Sequence, residues 1–184
     1  MLDRCPESRL RRARAAAGRI GLTLYLGLTG ALLIAALPAH STEPLPIAVA
    51  DFDYRDTSGE PRDQRAEHAK QLKALGDSLR AELAGSGRYR IVALTCGSAP
   101  CPPAGDDPDA VVAAARQAGA RLLVYGGLQK MSTLIQYLKA QVVDLEANAL
   151  TFDRLLTFRG DNEEAWQRAE KFLARELMAQ ELSR

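Results

Sequence analysis

Ala120-Arg-Leu-Leu-Val-Tyr-Gly-Gly-Leu-Gln-Lys-Met131, Ser132-Thr-Leu-Ile-Gln-Tyr-Leu-Lys-Ala-Gln-Val-Val-Asp144 and Ala149-Leu-Thr-Phe-Asp-Arg-Leu-Leu-Thr-Phe-Arg159 follow one another with no helical pattern between them. In the middle segment Leu134, Leu138, Ala140 and Val142 alternate onto one face, interrupted by Gln136; Phe152, Leu156 and Phe158 do the same in the third. Alternation at period two is the mark of half-buried antiparallel strands. Asp144 to Asn148 supplies the turn between the last two, with Asn148 at a left-handed position. Gly126-Gly127 marks a bulge or a close backbone approach.

Working outward, the strand signals are separated by helical ones. Ile47 to Asp53 reads as a first strand, and the polar Tyr54 to Arg65 as a surface loop. Leu72, Leu75, Leu79 and Leu83 recur at helical spacing within a helix over 66–84. Tyr89 to Thr95 is a second strand. Asp107 and Pro108 open a second helix as N-cap and first helical residue, and Gly119 stops it. Asp161-Asn-Glu-Glu164 opens a third helix with a capping-box-like acidic turn. Trp166, Ala169, Leu173 and Leu177 form its stripe, widened by Ala165, Phe172 and Met178. Trp166 reads as core, with an interface anchor as the alternative. The order β-α-β-α-β-β-β-α predicts one α/β (α+β) domain over 47–184. Its mixed five-stranded sheet would carry three packing helices, the first three strands parallel and the last two added as hairpins.

The amino-terminal part has a different character. Six arginines between Arg4 and Arg19 precede an apolar run from Ile20 to Leu37, and Ala39-His40-Ser41 is a small-x-small site. Together these describe a secretory signal peptide over 1–41, with an uncleaved membrane anchor as the alternative. Residues 42–46 would then be a short linker. Cleavage after Ser41 removes six arginines and two acids, which takes the formal charge from +1 to −3. A mildly acidic domain without a basic stripe is a poor candidate for nucleic acid. The membrane would be touched only through the amino-terminal segment.

Cys96 and Cys101 remain after cleavage, and an even pair in an exported chain reads as a disulfide closing a short loop. Four intervening residues do not match the thioredoxin spacing, and one remaining histidine is too few for a zinc site. Asp51 and Asp53 share one face at the end of the first strand, where ligands of open α/β sheets bind and where acids could hold a divalent cation. His68 continues the first helix's apolar stripe towards that edge, making a carboxylate pairing conceivable. No nucleophile elbow, phosphate loop or second histidine accompanies it. Gln129, Lys130 and Ser132, where two strands turn, read either as a partner-contacting patch or as turn chemistry. No catalytic set, metal site or cofactor is expected.

The phrases Gly126-Gly-Leu-Gln-Lys-Met-Ser-Thr-Leu-Ile135, Arg159-Gly-Asp-Asn-Glu-Glu-Ala-Trp166 and Ala48-Val-Ala-Asp-Phe-Asp53, with the cysteine loop, resemble a bacterial family of predicted secreted proteins of unknown function. The element order is also similar to the amino-terminal domain of TolB and to periplasmic domains of the curli secretion channel and of penicillin-binding-protein activators. The resemblance implies a periplasmic, non-enzymatic interaction module that meets an envelope protein partner. A small-ligand or metal sensor using the strand-edge acids is the competing expectation.

Overall fold

The computed structural model describes residues 43–98 and 101–180. The expected leader over 1–41 lies outside the described residues. The elements are β1 (Leu45–Val49), β2 (Asp53–Asp56), α1 (Arg65–Gly85), β3 (Tyr89–Ile91), α2 (Pro108–Gln117), β4 (Leu122–Lys130), β5 (Ile135–Asp144), β6 (Ala149–Arg159) and α3 (Glu163–Ala179). They build one mixed six-stranded sheet in the order β3-β1-β4-β5-β6, with β2 added beside β4. β1 pairs in parallel with β3 and β4, and β5 and β6 follow as antiparallel hairpins. The mixed α/β sheet with three helices is therefore the one the periodicities predict, with six strands where five were expected.

The differences are local. The expected first strand is broken after Val49 and resumes as β2, which runs parallel to the second half of β4, from Asp53 opposite Gly127 to Asp56 opposite Lys130. Residues 53–56 had read as the strand's end and a loop because Asp-Tyr-Arg-Asp carries no apolar alternation. Leu45 and Pro46, assigned to the linker, belong to β1. β3 stops at Ile91, short of the expected Thr95. Leu134 precedes β5 and is 64 % exposed, so the buried face of that strand starts with Gln136 instead.

Two apolar layers flank the sheet. On one face Ile47, Val49, Leu122, Val124, Leu128, Leu138, Ala140, Val142 and Phe152 meet Leu75, Leu79 and Leu83 of α1 and Trp166, Leu173 and Leu177 of α3. Phe172, expected in that stripe, is 44 % exposed. On the other face Ala48, Ala50, Leu123 and Leu145 meet Val111 and Ala115 of α2. Helix starts follow the cap chemistry: Asp107 accepts from the Ala110 N–H at 3.0 Å and Asn162 from the Ala165 N–H at 2.9 Å. Asn148 has φ 51°, the left-handed value expected of it.

α2 covers only the β3, β1 and β4 side of its face. Beyond it Arg55, Gln129, Tyr137, Lys139, Gln141 and Leu155 stand on a stretch of sheet that no helix covers among the described residues. Among those residues, no helix is long and apolar enough to cross a membrane.

Candidate functional site

Lys130 ends β4 with its side chain on the helix face of the sheet, where it is fully buried. Its ammonium lies 2.6 Å from Glu60 Oε2, 2.6 Å from Asp161 Oδ2 and 2.5 Å from Gln64 Oε1. Three acceptors match the three N–H donors of an ammonium, the condition under which a buried lysine stays charged. His68 Nε2 lies 3.0 Å from both oxygens of the same Asp161. Gln64 also donates to Asp161 Oδ2 at 3.3 Å. This is why α1 begins without a side-chain cap: its N-cap residue, Gln64, spends its amide on the cluster. One carboxylate, just ahead of α3, thus joins β4 to the start of α1.

Aromatic rings roof the cluster. Tyr54 of β2 lies 4.5 Å from the His68 ring between centroids, and Trp166 stacks 6.0 Å from each. Burial pushes the Tyr54 hydroxyl up, reinforced by Asp56, Asp161 and Glu60. Burial also works against the Asp161 carboxylate, but the Lys130 and His68 hydrogen bonds and charges outweigh it and hold that carboxyl below the usual range. Lys130 is the mirror image: burial lowers it, and the Asp161 and Glu60 contacts outweigh burial and raise it. The His68 and Asp161 side chains are 3 % and 8 % exposed, so this histidine–carboxylate pair is closed to a substrate. It is a brace between elements.

The residues singled out in the sequence do not form one patch. His68 and Lys130 meet through Asp161, which sequence reasoning noted only as part of a helix start. Asp51 is exposed between β1 and β2 and accepts from Arg80 at 2.7 Å. Asp53 lies on the opposite face of the sheet, against Gly105, where burial raises its carboxyl. Gln129 stands on that face too, donating to Thr57 Oγ1 at 3.2 Å. Ser132 is turn chemistry, its hydroxyl accepting from the Leu134 and Ile135 N–H groups at 3.3 and 3.1 Å. Among the described residues no group of three or more His, Cys, Asp or Glu side chains is arranged to hold a metal ion. Cys96 and Cys101 are disulfide-bonded, with Cα atoms 4.8 Å apart.

Two of the openings among the described residues lie beside these side chains. A groove of about 490 Å³ runs between α1 and α3, lined by Gln71, Leu75, Ser78, Trp166 and Glu170. Glu170, pushed up by burial, receives the Ser78 hydroxyl at 3.0 Å. The second, about 330 Å³, is shallow and lies on the open sheet face, lined by Asp53, Arg55, Gln129, Tyr137, Lys139 and Leu155. It contains the two sequence-predicted residues that remain accessible on one surface, Asp53 and Gln129. A strand's solvent-facing residues carry no periodicity signal of their own, which is why Tyr137, Lys139 and Leu155 were not singled out as a group.

Comparison with functionally curated proteins gives no match. Among solved structures the chain is similar to lipoprotein GNA1162 from Neisseria meningitidis, with TM-score 0.48 and 15 % identity over 76 % of this chain and 100 % of that one. It is similar to the LpoB C-terminal domain from Escherichia coli, with TM-score 0.46 and 15 % identity over 61 % of this chain and 81 % of that one. TolB from Acinetobacter baumannii, a likeness the element order anticipated, gives TM-score 0.45 and 13 % identity over 73 % of this chain. The matched region spans 27 % of TolB. The match to a protein family extends over residues 46–178, nearly the whole described region, and the chain belongs to that family, described as "Protein of unknown function (DUF2380)".

Proposed function

We propose that this protein is a non-enzymatic interaction module of the bacterial envelope, working in the periplasm and contacting a protein partner. The observation that carries the reading is the half of the sheet face that α2 leaves bare. Tyr137, Lys139 and Gln141 of β5, Gln129 of β4 and Leu155 of β6 stand there side by side, with Leu155 59 % exposed. An aromatic ring and a leucine among hydrogen-bonding side chains, on a rigid strand scaffold, is the composition of an interface core with its polar rim. The export signal read in residues 1–41 and the disulfide favour an oxidising compartment. The buried His68–Asp161–Lys130 cluster supports the same reading, because its polar atoms are spent on one another. The strand-edge sensor finds less support, since Asp51, Asp53 and His68 each face a different partner.

The test is a crosslinked pull-down of the tagged protein from periplasm, run beside a Tyr137→Glu/Lys139→Glu variant. These side chains are half-exposed on one face, so the fold should survive the change. The expected result is one dominant envelope protein with the wild type and its loss with the variant. An eluate identical for both overturns the assignment of this face.

A further inference from the structure

β6 is the last strand of the sheet and, among the described residues, pairs only with β5. Edge strands invite pairing with another chain unless they are short, covered, bulged, or carry charges or Pro. β6 is 11 residues long with no Lys or Pro, its bulge lies at its beginning, and its charges, Asp153, Arg154 and Arg159, are of both signs and so can pair with a second copy. Its beginning is blunted: the Gln180 amide donates to the Thr151 carbonyl at 2.9 Å. Among the described residues nothing covers the rest, and the ladder tells which groups it offers. Gly160 N–H donates to the Leu134 carbonyl at 3.0 Å, and the register continues with Gln136 opposite Phe158 and Leu138 opposite Leu156. Hydrogen-bonded pairs alternate along an antiparallel ladder. The backbone groups of Arg154, Leu156 and Phe158 therefore face β5, and those of Asp153, Leu155, Thr157 and Arg159 face outward.

We propose that this edge pairs with the same edge of a second copy of the chain, antiparallel and centred on Leu156, to make a two-fold dimer with one continuous sheet. The centre follows from charge. Around Leu156, Asp153 of one copy, which also pairs with Lys139 of its own chain, stands opposite Arg159 of the other, twice by symmetry, and Leu155 opposite Thr157. All four side chains are exposed on the open face. On the helix face Leu156 meets its own copy, and Phe158 meets the Arg154 guanidinium, which already lies over an aromatic ring, 5.5 Å from the Phe152 centroid. Sliding the register by two residues either way separates both Asp153–Arg159 pairs. Sliding by four, towards the amino-terminal end, sets Arg154 against Arg154. The outward groups fall in the hydrogen-bonded positions of this register, giving about eight backbone hydrogen bonds across the seam. Such an isologous contact closes on itself and stops at two copies. The inference goes beyond the partner-binding face, since it uses the edge of β6 and stands whether or not an envelope partner is captured.

Sedimentation of the purified chain across a concentration series tests it. The wild type is expected to form a dimer. Asp153→Arg should weaken it by about tenfold or more, and Asp153→Arg with Arg159→Asp should restore it, because the swapped charges meet again across the two-fold axis. Thr157→Pro removes an N–H that faces away from β5 and should abolish the dimer while leaving the monomer folded. Leu156→Cys should form a disulfide with its own copy, and Leu155→Cys should not. A wild type that stays monomeric, or a dimer that survives both Asp153→Arg and Thr157→Pro, overturns the proposal. Crosslinking through Leu155→Cys but not Leu156→Cys overturns this register. Loss of the dimer with an unchanged periplasmic pull-down would separate this inference from the proposed function.

Discussion

At the scale of single residues, the molecule turns on Asp161, which holds Lys130 at 2.6 Å and His68 at 3.0 Å. A buried ion pair adds little net stability over an apolar replacement, but removing one partner strands the other, at a cost of about 3–5 kcal/mol. Lys130→Met should therefore destabilise the protein by that amount, read as a lower urea midpoint at unchanged slope. A loss below about 1 kcal/mol would mean that the cluster is not closed as described. The pH dependence has two limbs of opposite sign. Asp161 has its folded pKa depressed, so its contribution is present above the ordinary carboxyl range and disappears as pH falls through the lowered folded value. Lys130 has its folded pKa raised, so its contribution is complete below the ordinary lysine range near 10.4 and is lost as pH rises through the higher folded value. Lys130→Met should flatten the alkaline limb and shrink the acid one. Beside this cluster, Gln136 is fully buried, and neither amide atom has a hydrogen-bond partner among the described residues. Sequence reasoning noticed it only as a break in an apolar face, and that break is where the sheet changes from apolar core to polar cluster.

At the scale of elements, Gly126 sets how closely β4, β5 and the segment between β1 and β2 approach. A Cβ there would overlap the Lys139 carbonyl oxygen and sit 2.9 Å from Phe52 Cε1. The nearest obstacle is backbone in a paired strand and cannot swing aside, so Gly126→Ala should cost about 1–3 kcal/mol. Ala in place of the neighbouring Gly127, which has more room, serves as the milder control in the same denaturation experiment; equal effects would refute the close-approach argument. Of the two readings of these glycines, bulge or close backbone approach, the second holds at Gly126, and the bulge lies on the next pairing, at Val142/Val143. What could be read from sequence at this scale was whatever a local rule controls: alternation in β4, β5 and β6, caps at Asp107 and Asn162, and the turn at Asn148. β2 escaped because its order comes from pairing with β4, more than seventy residues away, and its own polar residues state no preference. The Asp161 hub escaped for the same reason: the residues that meet there are dispersed over 60–161, and spacing along the chain says nothing about their distance in space.

At the scale of the whole molecule, one sheet carries two unequal covers, with α1 and α3 on one face and α2 on part of the other. The element order predicted three packing helices on one mixed sheet but not how they divide between its faces. Which strands stay bare required the structure. Hydrogen exchange reads the consequence directly. Amides of β1 and β4, enclosed between neighbours on both sides, should exchange most slowly. In β6 protection should alternate: Arg154, Leu156 and Phe158 donate to β5 and should be slow, while Asp153, Leu155, Thr157 and Arg159 face outward and should be fast in dilute solution. Raising the protein concentration should slow that second set selectively if a second copy docks along the edge, and the Thr157→Pro chain should lose this concentration dependence. Uniform exchange along β6, fast or slow, would contradict the ladder itself. A concentration-independent alternation would keep the fold and remove the dimer.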